Sequence, residues 1–85
     1  MAGYELLVKA SAAKEIDAVP AKDRRRIVDR IAALEHDPRP PGCQKLSASD
    51  KYRLRQGHFR IVYLIDDAAR QVTVFKVGHR KDVYR

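Results

Sequence analysis

The residues able to do chemistry here are cations set at strand spacing. From Lys51 to Arg85 the chain reads KYRLRQGHFRIVYLIDDAARQVTVFKVGHRKDVYR, with arginines alternating with Tyr, Leu, Phe, Ile and Val. Successive strand side chains point to opposite faces, so Arg53, Arg55 and Arg60 leave on the side opposite Tyr52, Leu54, Phe59 and Ile61. The charge is localised. Residues 51–85 carry nine Lys or Arg against three Asp, whereas residues 1–50 carry nine against eight, so the net +7 splits as +6 and +1. A guanidinium binds phosphate bidentately and stays charged at any working pH. Like charges opposed across strands cost tenths to about 1 kcal/mol per pair, so a surface that gathers them answers to a polyanion. The alternative is a solvated outer face, which lysines and glutamates would supply equally well. The near absence of carboxylates on that side favours the polyanion.

The elements that must hold these residues follow from punctuation and pattern. Breaks at Gln56-Gly57 and at Asp66-Asp67-Ala68-Ala69-Arg70 divide the run into three antiparallel strands, about 51–56, 58–66 and 71–79. A two-residue turn at Gln56-Gly57 sets Arg53 against Arg60, Arg55 against His58, Tyr52 against Ile61 and Leu54 against Phe59. In the second hairpin, pairing Ile61 with Val77, Tyr63 with Phe75 and Arg60 with Gly78 keeps the apolar residues together; a slip of one residue would put Lys76 against Ile61. The first register collects Arg53, Arg55, His58, Arg60, Lys76 and Arg80 on one surface, with Gly78 opening space beside Arg60.

Upstream, Tyr4–Lys9 alternates as a first strand. Ser11 is the expected N-cap of a helix to about Val19, with Ala12, Ile16 and Val19 at helical spacing; Lys14 stands where a capping box needs Glu or Gln. Pro20 ends that helix and begins another, about Ala21–His36, with Ile27, Ile31 and Leu34 on one stripe, Val28 beside it, and Arg25 and Asp29 at i, i+4 on the exposed face. Arg24, Arg25, Arg26 and Arg30 read as a solvated face tempered by Asp23 and Asp29 rather than as an RNA contact. Asp37-Pro38-Arg39-Pro40-Pro41-Gly42 is a stiff connector. The whole is α+β: a strand, a helical hairpin packed on the apolar sheet face, then a three-stranded antiparallel sheet.

Eighty-five residues make one domain, 1–85, which buries about 60 to 65% of its unfolded surface and has modest stability alone. No apolar run approaches the about 20 residues of a membrane span, and MAGYELLVKA lacks the apolar core of a signal peptide, so the expected location is cytoplasmic. Cys43 is a lone thiol without metal-ligand spacing to His36, His58 or His79, and neither metal nor cofactor is expected. There is no internal repeat and no phosphate-binding glycine loop.

Together, PPGCQKL, YRLRQGHFRIVY, the acidic pair and the terminal VGHRKDVYR resemble the RelE branch of the RelE/ParE superfamily of bacterial toxin-antitoxin toxins, over essentially the whole chain. The resemblance implies a microbial-ribonuclease-like fold and a toxin that cleaves messenger RNA in the ribosomal A site. It also implies a hetero-oligomer with a RelB-like antitoxin, operator DNA being reached through that antitoxin. Carried over, the family's basic strand positions fall on Arg53 and Arg55, its arginine after the turn on Arg60, its arginine closing the last strand on Arg80, and its terminal tyrosine on Tyr84. Arg60 and Arg80 would bind the scissile phosphate, Arg53 and Arg55 the backbone and 2′-oxyanion, while Tyr84 would stack on a base or orient the nucleophile. His58, Lys76, His79 and Lys81 would make further RNA contacts. RelE toxins carry lysines at the two strand positions, and arginine cannot give up its proton as lysine can. His58 or His79 could serve as base instead, because imidazole ordinarily titrates near neutral pH. Two other functions suit the same residues: a ParE-like poison of DNA gyrase and a non-catalytic nucleic-acid-binding module. Arg85 directly follows Tyr84, so no C-terminal helix is expected.

Overall fold

Strand β1, Glu5–Val8, runs straight into helix α1, Ala10–Asp17. Lys9 serves both elements: its N–H donates to the Val74 carbonyl (3.0 Å) and its carbonyl accepts from Ala13 (2.9 Å). Lys9 is therefore the N-cap, without a side-chain cap, and Ser11 lies inside the helix rather than at its start. The strand pairing fixes where the chain turns, and it overrides the capping preference of serine. Pro20 precedes α2, Ala21–Ala33, whose C-cap is Leu34. The chain continues in turns to Asp37, so the helix is shorter than its apolar pattern suggests. The structure is a computed structural model and describes residues 3–46 and 50–79.

The remaining strands are β2, Gln44–Lys45; β3, Lys51–Gln56; β4, Phe59–Asp66; and β5, Gln71–His79. All five form one sheet in the order β1-β5-β4-β3-β2. The expected three-stranded sheet thus gains two edges: β1 joins β5 in parallel, and the two-residue β2 pairs with Tyr52 and Arg53 of β3. Both helices lie on one face. Ile27, Ile31 and Leu34 pack there with Ala12 and Val19 against Leu54, Ile61, Tyr63, Ile65, Val72, Val74 and Val77. Val28 stays 46% exposed, off the buried stripe. Arg25 and Asp29 form no ion pair among the described residues.

Two register details differ from expectation. The loop of the β3–β4 hairpin is Gly57-His58, so Arg55 faces Arg60, Arg53 faces Val62 and Tyr52 faces Tyr63. The reason is local: a tight two-residue loop wants positive φ at its first position, and Gly57 supplies +59° where Gln56 would be strained. The shift is two residues, so no side chain changes face. In β4–β5, Arg60 faces Gly78 and Ile61 faces Val77 as expected, but a bulge after Val62 sets Tyr63 against Val74 and leaves Phe75 as the extra residue. Both possible parities are used, one on each side of the bulge. That keeps Val72, Val74 and Val77 in the core although Val74 and Val77 are three apart.

The connector is tied to the sheet. Tyr63 Oη donates to the Pro38 carbonyl at 2.8 Å, and Arg39 forms a two-pronged ion pair with Asp67, at 3.2 and 2.8 Å. At the opposite end of the sheet, Glu15 of α1 accepts a hydrogen bond from the Val77 N–H at 2.9 Å. Strand β1 ends at Val8 opposite Val74, and the helix carboxylate satisfies the strand edge beyond it.

Candidate nucleic-acid interface

The sheet face away from the helices carries the cations in rows. Arg55, Arg60 and Gly78 lie side by side on β3, β4 and β5, and Arg53, Val62 and Lys76 form the next row. Facing residues place their Cβ atoms about 4.5–5.5 Å apart. Arg60 is the buried member, only 8% exposed, while Arg55 is exposed and Lys76 half-buried. A guanidinium withdrawn from water acts at lower effective dielectric, so its pull on a developing negative charge is stronger than that of a surface lysine. Arg53 donates through Nη2 to Gln44 Oε1, which ties β3 to the short edge strand.

His58 does not share this face, because it occupies the turn. Instead it stacks on His79, ring centroids 6.1 Å apart and 20° from parallel, and His79 meets Phe59 edge-on at 5.8 Å. The histidine pair closes the end of the sheet, and His79 shares the helix-side face with Phe59, near Glu15, Ala18 and Val19, rather than the face of Arg60. Arg80, Lys81 and Tyr84 lie outside the described residues.

The cationic face extends further than its sequence pattern marks. At the bulge, Phe75 lies under two ammonium groups, Lys9 Nζ at 4.5 Å and Lys51 Nζ at 4.6 Å from its ring centroid. The one signal for this in the sequence is the Val74-Phe75-Lys76-Val77 spacing, which breaks the alternation of an unbulged strand.

A family model describing the ParE toxin of the type II toxin-antitoxin system parDE matches residues 6–84. The chain belongs to this toxin family. The fold of the toxin is that of solved RelE structures. The RelE-RelB complex of Pyrococcus horikoshii OT3 is 23% identical with a TM-score of 0.83, the match covering 95% of this chain and 99% of that one. The intact E. coli RelBE toxin-antitoxin complex is 26% identical with a TM-score of 0.76, over 89% of this chain and 95% of that one. The YoeB/ParE toxin from Agrobacterium tumefaciens is 17% identical with a TM-score of 0.74, over 88% and 96%. A search of curated proteins found no sequence match. No helix among the described residues of the toxin is long and apolar enough to cross a membrane.

Around the interface, the perturbed groups of the toxin are structural. Hydrogen bonds from Arg39 and then from Tyr4 hold the Asp67 carboxyl below its ordinary range. The bond to Asp67 in turn raises Arg39 and Tyr4. Burial pushes the Tyr63 phenol up, with the Cys43 thiol beside it adding to the shift. These groups fasten the connector, β1 and the β4–β5 turn together, and none of them belongs to the arginine rows.

Proposed function

We propose that this toxin is a ribosome-dependent endoribonuclease that cleaves messenger RNA in the A site and so inhibits translation. The observation that carries the reading is the row Arg55–Arg60–Gly78, with a buried guanidinium at its centre and a glycine beside it. Cleavage uses the 2′-hydroxyl as nucleophile, passes through a phosphorane-like state, and expels the 5′-oxygen. Arg60, with Arg80, holds the scissile phosphate and its added charge. Arg53 and Arg55 position the backbone and favour the 2′-oxyanion. Guanidinium groups thus supply the charge that a metal ion would otherwise supply. Arginine keeps its proton, so the proton of the 2′-hydroxyl passes to water or to a group on the ribosome. Tyr84 stacks on a base beside the cut. Lys76 and Lys81 extend the phosphate contacts.

The described relatives include toxins solved with RelB antitoxins, which supports an acidic RelB-like partner that folds on contact with this chain. Operator DNA would be reached through that partner. The test of activity is 5′-end mapping of a short messenger in a purified translation system, with and without ribosomes, using wild type, Arg60→Ala and Arg80→Ala. New ends inside A-site codons that require ribosomes and both arginines support the reading; full activity in both folded variants sinks it.

A second reading, inhibition of DNA gyrase, is favoured by the ParE description of the matching family model. Fold does not choose between the two targets. A supercoiling assay does: loss of gyrase activity at toxin concentrations that leave messenger intact would replace the first reading.

A further inference from the structure

A cavity of about 310 Å³ opens at the outer edge of the sheet, lined by Arg30, Gly42, Gln44, Arg53, Leu54 and Arg55. Three of these six residues carry a guanidinium, and none is acidic. Arg30 comes from α2, in the arginine-rich stretch that reads from sequence as solvated. Its Nε is buried and has no hydrogen-bond partner among the described residues. A buried charged donor without an acceptor is costly, and two further guanidiniums on the same cavity add repulsion to that cost. An anion relieves both. The wall is also built for close approach: β2 begins at Gln44 opposite Arg53, so among the described residues β3 from Leu54 onward has no strand neighbour on this side. A Cβ at Gly42 (φ +93°) would meet nothing within 4 Å, so the backbone there is bare.

We propose that this cavity binds an RNA phosphate, with Arg30 as a positioning residue. The phosphate is the one next to the scissile phosphate on the same strand, a placement that rests on the endoribonuclease reading. Arg55 joins the two sites, since it lines the cavity and pairs across the sheet with Arg60. Neighbouring strands are about 4.8 Å apart, which is the order of the spacing between successive phosphates on one strand. A phosphate also offers more oxygens to three converging guanidiniums than a carboxylate does.

The test uses the full chain and dinucleotides whose 5′ nucleotide is 2′-deoxy, so that no attacking hydroxyl is present. They carry no terminal phosphate, a 5′-phosphate or a 3′-phosphate, and binding is followed on the Nε–H resonance of Arg30, assigned by its loss in Arg30→Met. A terminal phosphate at one end should tighten binding about tenfold, equivalent to about 1.4 kcal/mol, and move that resonance with the same Kd. Arg30→Met, which keeps the apolar stem, should bind the phosphorylated and plain probes alike, and Arg30→Lys should keep part of the gain. The proposal is overturned if neither phosphate tightens binding or if the gain survives in Arg30→Met. It is equally overturned if the resonance responds only to an acidic antitoxin peptide. Ribosome-dependent cleavage measured on the same preparations separates the two ideas. Cleavage without the phosphate gain removes the cavity site alone, and the gain without cleavage removes the endoribonuclease reading and its scissile-phosphate placement while the cavity stands as an anion site.

Discussion

Substituting Arg60 is the means of telling activity from stability. It sits on the central strand, 8% exposed, facing Arg55 on one side and Gly78 on the other. Arg60→Met keeps the stem that fills this position, removes the donors, and relieves the opposed charge of Arg55. A preorganised donor is worth about 2.7–4 kcal/mol in a transition state. On the proposed endoribonuclease reading, single-turnover cleavage on ribosomes should therefore fall about 10²- to 10³-fold, by more than any change in the denaturant midpoint accounts for. A drop in both by the same mechanism, with a lowered midpoint accounting for the lost activity, would mean that Arg60 is structural. Much of this residue pattern is legible in the sequence, because face assignment needs only parity. Pairing is a finer matter, set by which residue takes the positive φ, and Gly57 moved it by two. Nothing in the sequence sets Arg30 apart from Arg24, Arg25 and Arg26. Four arginines in one amphipathic helix look alike until the fold lays one of them over the edge of β3.

The bulge and the edge cap are the two devices that let these elements fit. Phe75 is the extra residue of the ladder, so deleting it leaves every other pair of β4 and β5 in place. The expected result is a cooperatively folding protein with a nearly unchanged denaturation midpoint. Deleting Thr73 instead removes a residue from the wrong place: Val72 keeps its pairing with Ile65, but fully buried Val74 turns out opposite Leu64 and the bulkier Phe75 is forced into its place opposite Tyr63. That should cost at least about 1.5–3 kcal/mol for the valine alone. Equal losses in the two deletions would show that the ladder does not tolerate Phe75 as an insertion. Glu15 offers the companion case at the other edge of β5. Glu15→Ala leaves the Val77 N–H without its acceptor and should destabilise by about 1–3 kcal/mol, with Glu15→Gln recovering most of it in urea unfolding. The sequence shows the helices and long strands through their periodicity. It does not show that β1 lies parallel to β5 or that two residues suffice for β2, since such short pairings are decided by what the finished sheet leaves open.

Across the whole molecule, one exposed network joins parts that are distant in sequence. Arg39 of the connector, Tyr4 beside β1 and Asp67 of the β4–β5 turn meet through hydrogen bonds of 2.7 to 3.2 Å. Arg39 also donates to the Tyr52 hydroxyl on β3, at 3.1 Å. The network is exposed on both sides of its ion pair, so solvent screens it and its contribution is small. It has a definite sign nonetheless. The folded Asp67 carboxyl is held below its ordinary value, chiefly by Arg39. Folding therefore gains from the ionised form above the unfolded carboxylate pKa of about 3.9, and this gain is lost as pH falls through the lower folded-state pKa. With a net charge of +7 already present at neutral pH, each further protonated carboxylate also adds self-repulsion to the compact state. Thermal melts of wild type and Asp67→Asn across acid pH test this. Wild type should be the more stable near pH 7, and the difference should close as the pH drops below the ordinary carboxylate range. The substitution keeps the shape of the side chain but removes its charge and turns one accepting oxygen into a donor, and only the charge part depends on pH. A gap that stays constant down to acid would place the effect in lost hydrogen-bond geometry, and the connector would then be held by Tyr63 and Pro38 rather than by the ion pair.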